Sequence, residues 1–197
     1  APASMQDTPP LFPPRAGGRR GAPPRAGRGA SGWQTEENMR TLVLGLGNPI
    51  FTDDAIGWHV VEALRCRLRE PEVEFATTSL AGLRLLDLMW GYDRVILIDA
   101  IKTSRRRVGE VYCLRPEDLP VSRDFVSVHS LDLVSAWETG RRFQWPLPRE
   151  VLIFAVEVSD PCTLGEGLTL ALAQQVPTIV ETVLQRVLGG KEAPPDE

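Results

Sequence analysis

The chain has few of the residues that build thiolate or imidazole metal sites: its 197 residues include three cysteines and two histidines. Cys66, Cys113 and Cys162 form no C-x-x-C pair, which excludes a cysteine-based zinc site and a disulfide-rich scaffold. Any imidazole chemistry must use His59 or His129. No apolar run approaches the roughly 18 residues that a membrane-spanning helix needs. We therefore expect a cytoplasmic protein without a membrane span.

Charge and composition divide the chain near residue 38. The net charge of −4 argues against general nucleic-acid binding. Residues 1–38 contain seven prolines, six glycines and five arginines, a composition that predicts a disordered tail, with a basic arm as the alternative role. Met39 stands at the start of the first predicted strand, so we interpret it as the true start and residues 1–38 as a non-native extension. Residues 190–197 are expected to be a frayed end.

The remaining residues, 39–189, alternate strand and helix patterns in one predicted domain. Short apolar runs predict strands at 39–47, 73–78, 94–99, 110–114 and 150–156. Helical spacing of apolar residues predicts helices from 53 or 54 to about 69, and at 81–90, 131–139 and 168–188, with Pro177 near a boundary or kink. This order predicts an α/β fold in three layers, with a mainly parallel, twisted, five-stranded sheet and helices on both faces. We expect a monomer.

The carboxyl ends of parallel strands carry the ligand site in such folds. In the loop after the first strand, Gly45 and Gly47 allow a ligand to approach the main chain. A dinucleotide loop would need a third glycine, but Ile50 stands there, and Asp53 and Asp54 would repel a pyrophosphate. One of these two acids can cap the following helix while the other projects into the site.

Two further side chains complete the candidate chemistry. Asp99 ends an apolar strand, and His129 lies just before a predicted helix, whereas His59 is interpreted as a structural residue inside the first helix. Two carboxylates and one imidazole, from Asp54, Asp99 and His129, suit zinc, nickel, iron or manganese and leave positions open for a substrate ligand. No G-x-S-x-G elbow indicates a serine nucleophile.

The segment LVLGLGNPIFTDDAIGWHVVEAL resembles the opening of the hydrogenase maturation endopeptidases. These enzymes trim the C-terminal extension of the large subunit of a nickel–iron hydrogenase. The matching signature consists of Gly45, Gly47, Asn48, Asp53, Asp54 and Gly57. Two further matches follow in order, VILIDAI with Asp99 and SVHSLDL with His129.

The resemblance implies an aspartic-type endopeptidase whose metal-binding and catalytic residues are Asp54, Asp99 and His129. Many members carry Glu where this chain has Asp54, which is one methylene shorter. The implied partner is a hydrogenase large-subunit precursor, and the implied metal is that precursor's nickel. Two alternatives are a nucleotide- or cofactor-binding α/β module and a non-enzymatic nickel chaperone.

Overall fold

The computed structural model describes residues 39–118 and 128–189, without the side chains of residues 128–132. The predicted tail, 1–38, and the predicted frayed end, 190–197, lie outside the described residues. The strands are β1 Thr41–Leu46, β2 Val73–Thr78, β3 Arg94–Ile101, β4 Val111–Leu114 and β5 Glu150–Glu157. The helices are α1 Ile56–Arg67, α2 Leu83–Met89, α3 Val128–Arg142, α4 Leu170–Ala173 and α5 Val176–Gly189. No helix in the described part is long and apolar enough to cross a membrane.

The five strands form one sheet in the order β2-β1-β3-β5-β4. All neighbouring pairs are parallel except β4, which runs antiparallel to β5 at the edge of the sheet. The predicted mainly parallel, five-stranded α/β sheet is confirmed.

Alternation of side chains along the strands builds the three layers. In β3, Ile96 and Ile98 pack with α1 and α5, whereas Val95 and Leu97 pack with α2 and α3. Both faces of the central strands are therefore buried, which explains their nearly continuous apolar sequence. By the same alternation, Asp99 belongs to the face that α2 and α3 cover.

The structure corrects three of the predicted boundaries. β3 continues through Ile101, because β5 pairs with β3 as far as Glu157. Asp99 therefore lies inside the strand and not at its end. α3 begins at Val128 and passes through Gly140, which had been predicted to stop it. A Cβ at Gly140 would lie 3.0 Å from Leu147 Cδ2. The missing side chain therefore lets Leu147, which follows the helix, pack against α3. The predicted last helix is two helices, α4 and α5, and Pro177 is the second residue of α5, where a missing N–H is tolerated.

A buried arginine ties the start of β3 to the end of α5. Arg94 is 5% exposed, and its guanidinium donates to the backbone carbonyls of Arg186, at 3.0 Å, and Val187, at 3.3 Å. Its Nε lies 2.9 Å from Glu150 Oε2 in an ion pair with the first residue of β5. These contacts satisfy carbonyls that the last turn of a helix leaves without partners.

We expect Arg94→Met to lower the free energy of unfolding by about 1–3 kcal/mol, because it removes two hydrogen bonds and one ion pair at a buried position. Arg67→Met is the matched control, since Arg67 pairs with Glu181 at 2.8 Å where both side chains are about half exposed. The control should cost less than about 1 kcal/mol. Urea unfolding measures both, and equal midpoints for the two variants would contradict this role of Arg94.

Candidate active site

The strand order places a crevice at the carboxyl ends of β1 and β3. From β1 the sheet extends to β2 on one side and to β3 on the other, and such a switch point is where open α/β sheets bind ligands. Gly45 pairs with Ile98, so Asp99 comes one residue beyond the last ladder pair of β1 and β3. The loop that follows β1 and the side chain of Asp99 therefore belong to the same edge of the sheet, the one formed by the carboxyl ends of its parallel strands.

Two glycines let α1 pack directly on the backbone of these strands. A Cβ at Gly57 would lie 2.3 Å from the carbonyl oxygen of Leu46 and 2.5 Å from that of Ile98. A Cβ at Gly45 would lie 2.3 Å from the carbonyl oxygen of Gly57. Any larger residue at either position would push the first turn of α1 away from the sheet. The spacing of Gly45 and Gly57 in the sequence thus sets the position of the helix that follows the site loop.

The turn after β1 holds the carboxylate of Asp54. Gly47 has φ +131°, and a Cβ there would lie 1.8 Å from the carbonyl oxygen of Asp54. The next residue, Asn48, donates its backbone N–H to Asp54 Oδ2 at 2.6 Å. Trp58 Nε1 donates to the carbonyl of Gly47 at 3.1 Å and fixes the turn from the side of α1. Asp54 is half-buried, and its Oδ1 receives no hydrogen bond from the described residues.

The neighbouring carboxylate, Asp53, has different partners and is completely buried. It accepts hydrogen bonds from Thr169 N and Oγ1 at 2.8 and 3.2 Å, and from Ser159 N and Oγ at 3.3 and 3.0 Å. A fifth donor is the backbone N–H of Asp160 at 3.0 Å. This carboxylate therefore fastens the loop after β1 to the loop after β5 and to the start of α4.

Neither acid caps α1, contrary to the prediction that one of them would. Asp53 and Asp54 lie in a 3-10 turn, Asp53–Ala55, and the residue preceding α1 is Ala55, which makes no side-chain cap. Both carboxylates still lie near the positive end of a helix, which is electrostatically favourable.

Backbone hydrogen bonds join the same two loops around Asp53. Thr52 N donates to the carbonyl of Thr163 at 3.0 Å, and its Oγ1 donates to the carbonyl of Asp160 at 2.7 Å. Hydrogen bonds from Thr163 lower the pKa of Asp160, and the positive charge of Lys102 acts in the same direction. Asp160 thus adds a negative charge to this edge of the sheet.

Asp99 is 2% exposed, and its Oδ1 accepts the backbone N–H of Ala100 at 2.9 Å. His129 is the second residue of α3, not a residue before the helix. Its side chain lies outside the described part, so the joining of all three predicted ligands stays a prediction. Among the described side chains, no group of three His, Cys, Asp or Glu is close enough to hold a metal ion. His59 is exposed on α1, so the packing expected of a structural histidine is absent there.

Sequence reasoning missed the partners that position the two carboxylates. Ser159 and Thr169 follow Asp53 by more than 100 residues, and no local pattern joins them to it. Thr169 carries one signal, because a threonine before a helical pattern is typical of a helix start.

Comparisons with known proteins agree on one family. A family model described as hydrogenase maturation protease matches residues 58–186. The hydrogenase 2 maturation protease of Escherichia coli is 34% identical over 168 residues, which are 81% of this chain and 98% of that protein.

Solved structures give the same result. The hydrogenase maturating endopeptidase HybD from Escherichia coli superposes with a TM-score of 0.66 at 30% identity, covering 77% of this chain and 94% of that one. The nickel–iron hydrogenase maturation protease HybD from Thermococcus kodakarensis superposes with a TM-score of 0.60 at 22% identity, covering 75% of this chain and 98% of that one, and supports the fold alone.

The two adjacent aspartates should differ sharply in their effect on stability. Asp53→Asn places an NH₂ group among five donors, so we expect a loss of about 2–3 kcal/mol of unfolding free energy. Asp54→Asn disturbs one hydrogen bond at a half-buried side chain and should cost less than about 1 kcal/mol. Chemical denaturation of both variants measures the difference. Equal losses would refute the distinct roles of the two carboxylates.

Proposed function

Because the chain belongs to the hydrogenase maturation protease family, we propose that it removes the C-terminal extension of a nickel–iron hydrogenase large-subunit precursor after nickel has been inserted. The observation that carries this proposal is the half-buried carboxylate of Asp54, held through one oxygen at the same sheet edge as Asp99. The nickel is part of the substrate.

The donor set suits such a substrate. Asp54 offers Oδ1, and Asp99 adds a second carboxylate on the face of the sheet that α3 covers. α3 ends at Arg142 and leads into β5 at the amino edge of the sheet, so its first turn, with His129, is directed toward the carboxyl edge. Carboxylate and imidazole donors together are suited to nickel.

The chain's own residues have two tasks in this proposal. Asp54, Asp99 and His129 dock the nickel-bearing part of the precursor and thereby fix the scissile bond at the sheet edge. A carboxylate of the same group accepts the proton of the attacking water. The nickel ion, when present, supplies a positive charge that polarises the scissile carbonyl. Trimming that needs this ion occurs only in precursors that have received it.

The nucleotide-binding alternative has little support at this loop. The backbone N–H of Asn48, which in a dinucleotide loop would face a phosphate, already donates to Asp54 Oδ2. A bound phosphate would have to displace that carboxylate and would lie beside a negative charge. The chaperone alternative differs from the protease in outcome, because a chaperone would bind nickel and leave the length of the precursor unchanged.

The direct test incubates the full chain with a nickel-loaded large-subunit precursor from the same source, beside a nickel-free sample. Intact mass spectrometry should show loss of a defined C-terminal peptide in the nickel-loaded sample alone. No loss of mass from a precursor shown to contain nickel, tried with each large subunit of the source, would contradict the proposal.

Single substitutions test the three residues. Asp54→Asn, Asp99→Asn and His129→Gln should each slow trimming by about 10²-fold or more, since each removes a charge or ligand that acts at the reacting bond. Asp87→Asn is the matched control, because Asp87 is exposed on α2 and outside the site, and it should trim normally. A thermal melt of every variant separates loss of activity from loss of fold. Normal trimming by a variant that lacks all three side chains would exclude this assignment.

A further inference from the structure

The connection between β3 and β4 concentrates positive charge on an otherwise acidic domain. Residues 39–197 contain 17 basic and 23 acidic residues. Four of the basic residues fall within the six positions 102–107, named the basic loop here, and no acid lies among them: Lys102, Arg105, Arg106 and Arg107. All four side chains are exposed. Within the described part of the chain, no carboxylate forms an ion pair with Lys102, Arg106 or Arg107.

A buried carboxylate holds the basic loop in one conformation. Glu157, the last residue of β5, is 2% exposed. Its Oε1 accepts the backbone N–H groups of Thr103 and Ser104, both at 2.8 Å, and its Oε2 accepts Thr103 Oγ1 at 2.6 Å. Ser104 has φ +58°, so the chain bends sharply where the arginines begin. This many bonds to one buried side chain indicate a preorganised loop.

The same carboxylate reaches one of the arginines through a tyrosine. Tyr112 donates its hydroxyl to Glu157 Oε2 at 3.1 Å, and the guanidinium carbon of Arg106 lies 4.3 Å from the centre of the Tyr112 ring. Stacking on the ring restricts the Arg106 side chain while its N–H groups stay in solvent. The entropy that an arginine loses on binding an anion is therefore partly lost already in the free protein.

The basic loop belongs to the same sheet edge as the candidate active site. Lys102 directly follows β3, three residues after Asp99. Its charge acts on Asp160, whose backbone N–H donates to Asp53. On its far side, Arg107 borders a cavity of about 440 Å³ between the β3–β4 connection and α5, which Gln175 and Thr178 also line. A chain leaving the site over β5 would pass along the basic loop.

We propose that the basic loop docks an acidic segment of the precursor polypeptide, rich in Asp or Glu, while the scissile bond lies at Asp54 and Asp99. The inference rests on the proposed function, because it names a recognition surface for the substrate of that site. Arginine is suited to this task, since its planar guanidinium binds a carboxylate through two parallel hydrogen bonds.

An acidic polypeptide fits better than a nucleic acid. The excess of acidic residues over the rest of the domain repels a long polyanion, whereas a short acidic segment meets only the basic loop. The loop also lies beside a site whose proposed substrate is itself a polypeptide.

The test compares the triple variant K102Q/R106Q/R107Q with the wild-type full chain in precursor trimming. The matched control is R69Q/R142Q/R149Q, which removes the same charge from exposed arginines after α1, at the end of α3 and before β5. We expect KM to rise about tenfold or more in the loop variant with kcat little changed, and both constants to stay near wild type in the control. Raising NaCl from about 50 mM to about 500 mM should reduce this difference, since salt screens exposed charges.

A second measurement judges the basic loop without any cleavage. Fluorescence anisotropy with labelled hexaglutamate should show binding to the wild type and the control, with at least about tenfold weaker binding to the loop variant. Labelled hexaglutamine should not bind. Absence of trimming by the wild type would refute the proposed function. Hexaglutamate binding would still show, in that case, whether the basic loop binds an acidic peptide. Unchanged KM and unchanged hexaglutamate binding in the loop variant would overturn the inference, as would displacement of hexaglutamate by tRNA at lower concentration than by unlabelled peptide.

Discussion

The buried carboxylate of Asp53 is the contact on which the geometry of the site depends. It receives five hydrogen bonds from Ser159, Asp160 and Thr169, so two loops that are distant in sequence behave as one unit. Because Asp53 itself is completely buried, an oxygen of this carboxylate left without donors would cost more free energy than each hydrogen bond contributes net to stability. The orientation of Asp54 follows, because the residue after a fixed Asp53 has little freedom and meets the Asn48 N–H.

Glycine provides the second constraint, at the contact between α1 and the sheet. Gly57 touches the carbonyls of Leu46 and Ile98, and Gly45 faces Gly57 across the same contact. Close approach brings the first turn of α1 onto the strand ends, where the site is built. The two constraints are complementary. The glycines set the distance between α1 and the sheet, and Asp53 sets the orientation of the loop before α1.

Much of this architecture can be predicted from the sequence, because it is encoded locally. The apolar runs predict five strands, and β2 has the predicted bounds, with a turn at Pro71 and Glu72 directly before it. Local patterns fail to predict the end of an element where that end is set by contacts with a segment distant in the sequence. β3 extends past Asp99 because β5 pairs with Ala100 and Ile101, and α3 passes through Gly140 because Leu147 packs where a Cβ would lie.

The site shows the same division. Asp54 and Asp99 can be proposed as site residues from the loop after the first strand, an apolar run and motif spacing, and both lie toward the carboxyl ends of β1 and β3, although β3 extends two residues past Asp99. Their roles in the site stay predictions. The role of Asp53 cannot be found in that way, because a run of two acids before a helix is equally typical of a cap, and its real partners come more than 100 residues later. Glu157 is a further case, since an acid at the end of an apolar strand gives no sign that it binds the backbone of Thr103, 54 residues earlier.

The edge of the sheet therefore uses carboxylates in two different states. Asp53 and Glu157 are buried, satisfied by donors and structural, whereas Asp54 retains an oxygen that no described residue uses. An α/β switch point whose amide is already taken by a carboxylate disfavours phosphates and favours cationic or metal-bearing ligands. The basic loop beside the switch point has the opposite preference, for acidic ligands. The proposed function and the proposed role of the basic loop together call for a substrate that carries a positive centre and an acidic segment on one molecule, which a metal ion held in a polypeptide provides and a free metal ion does not.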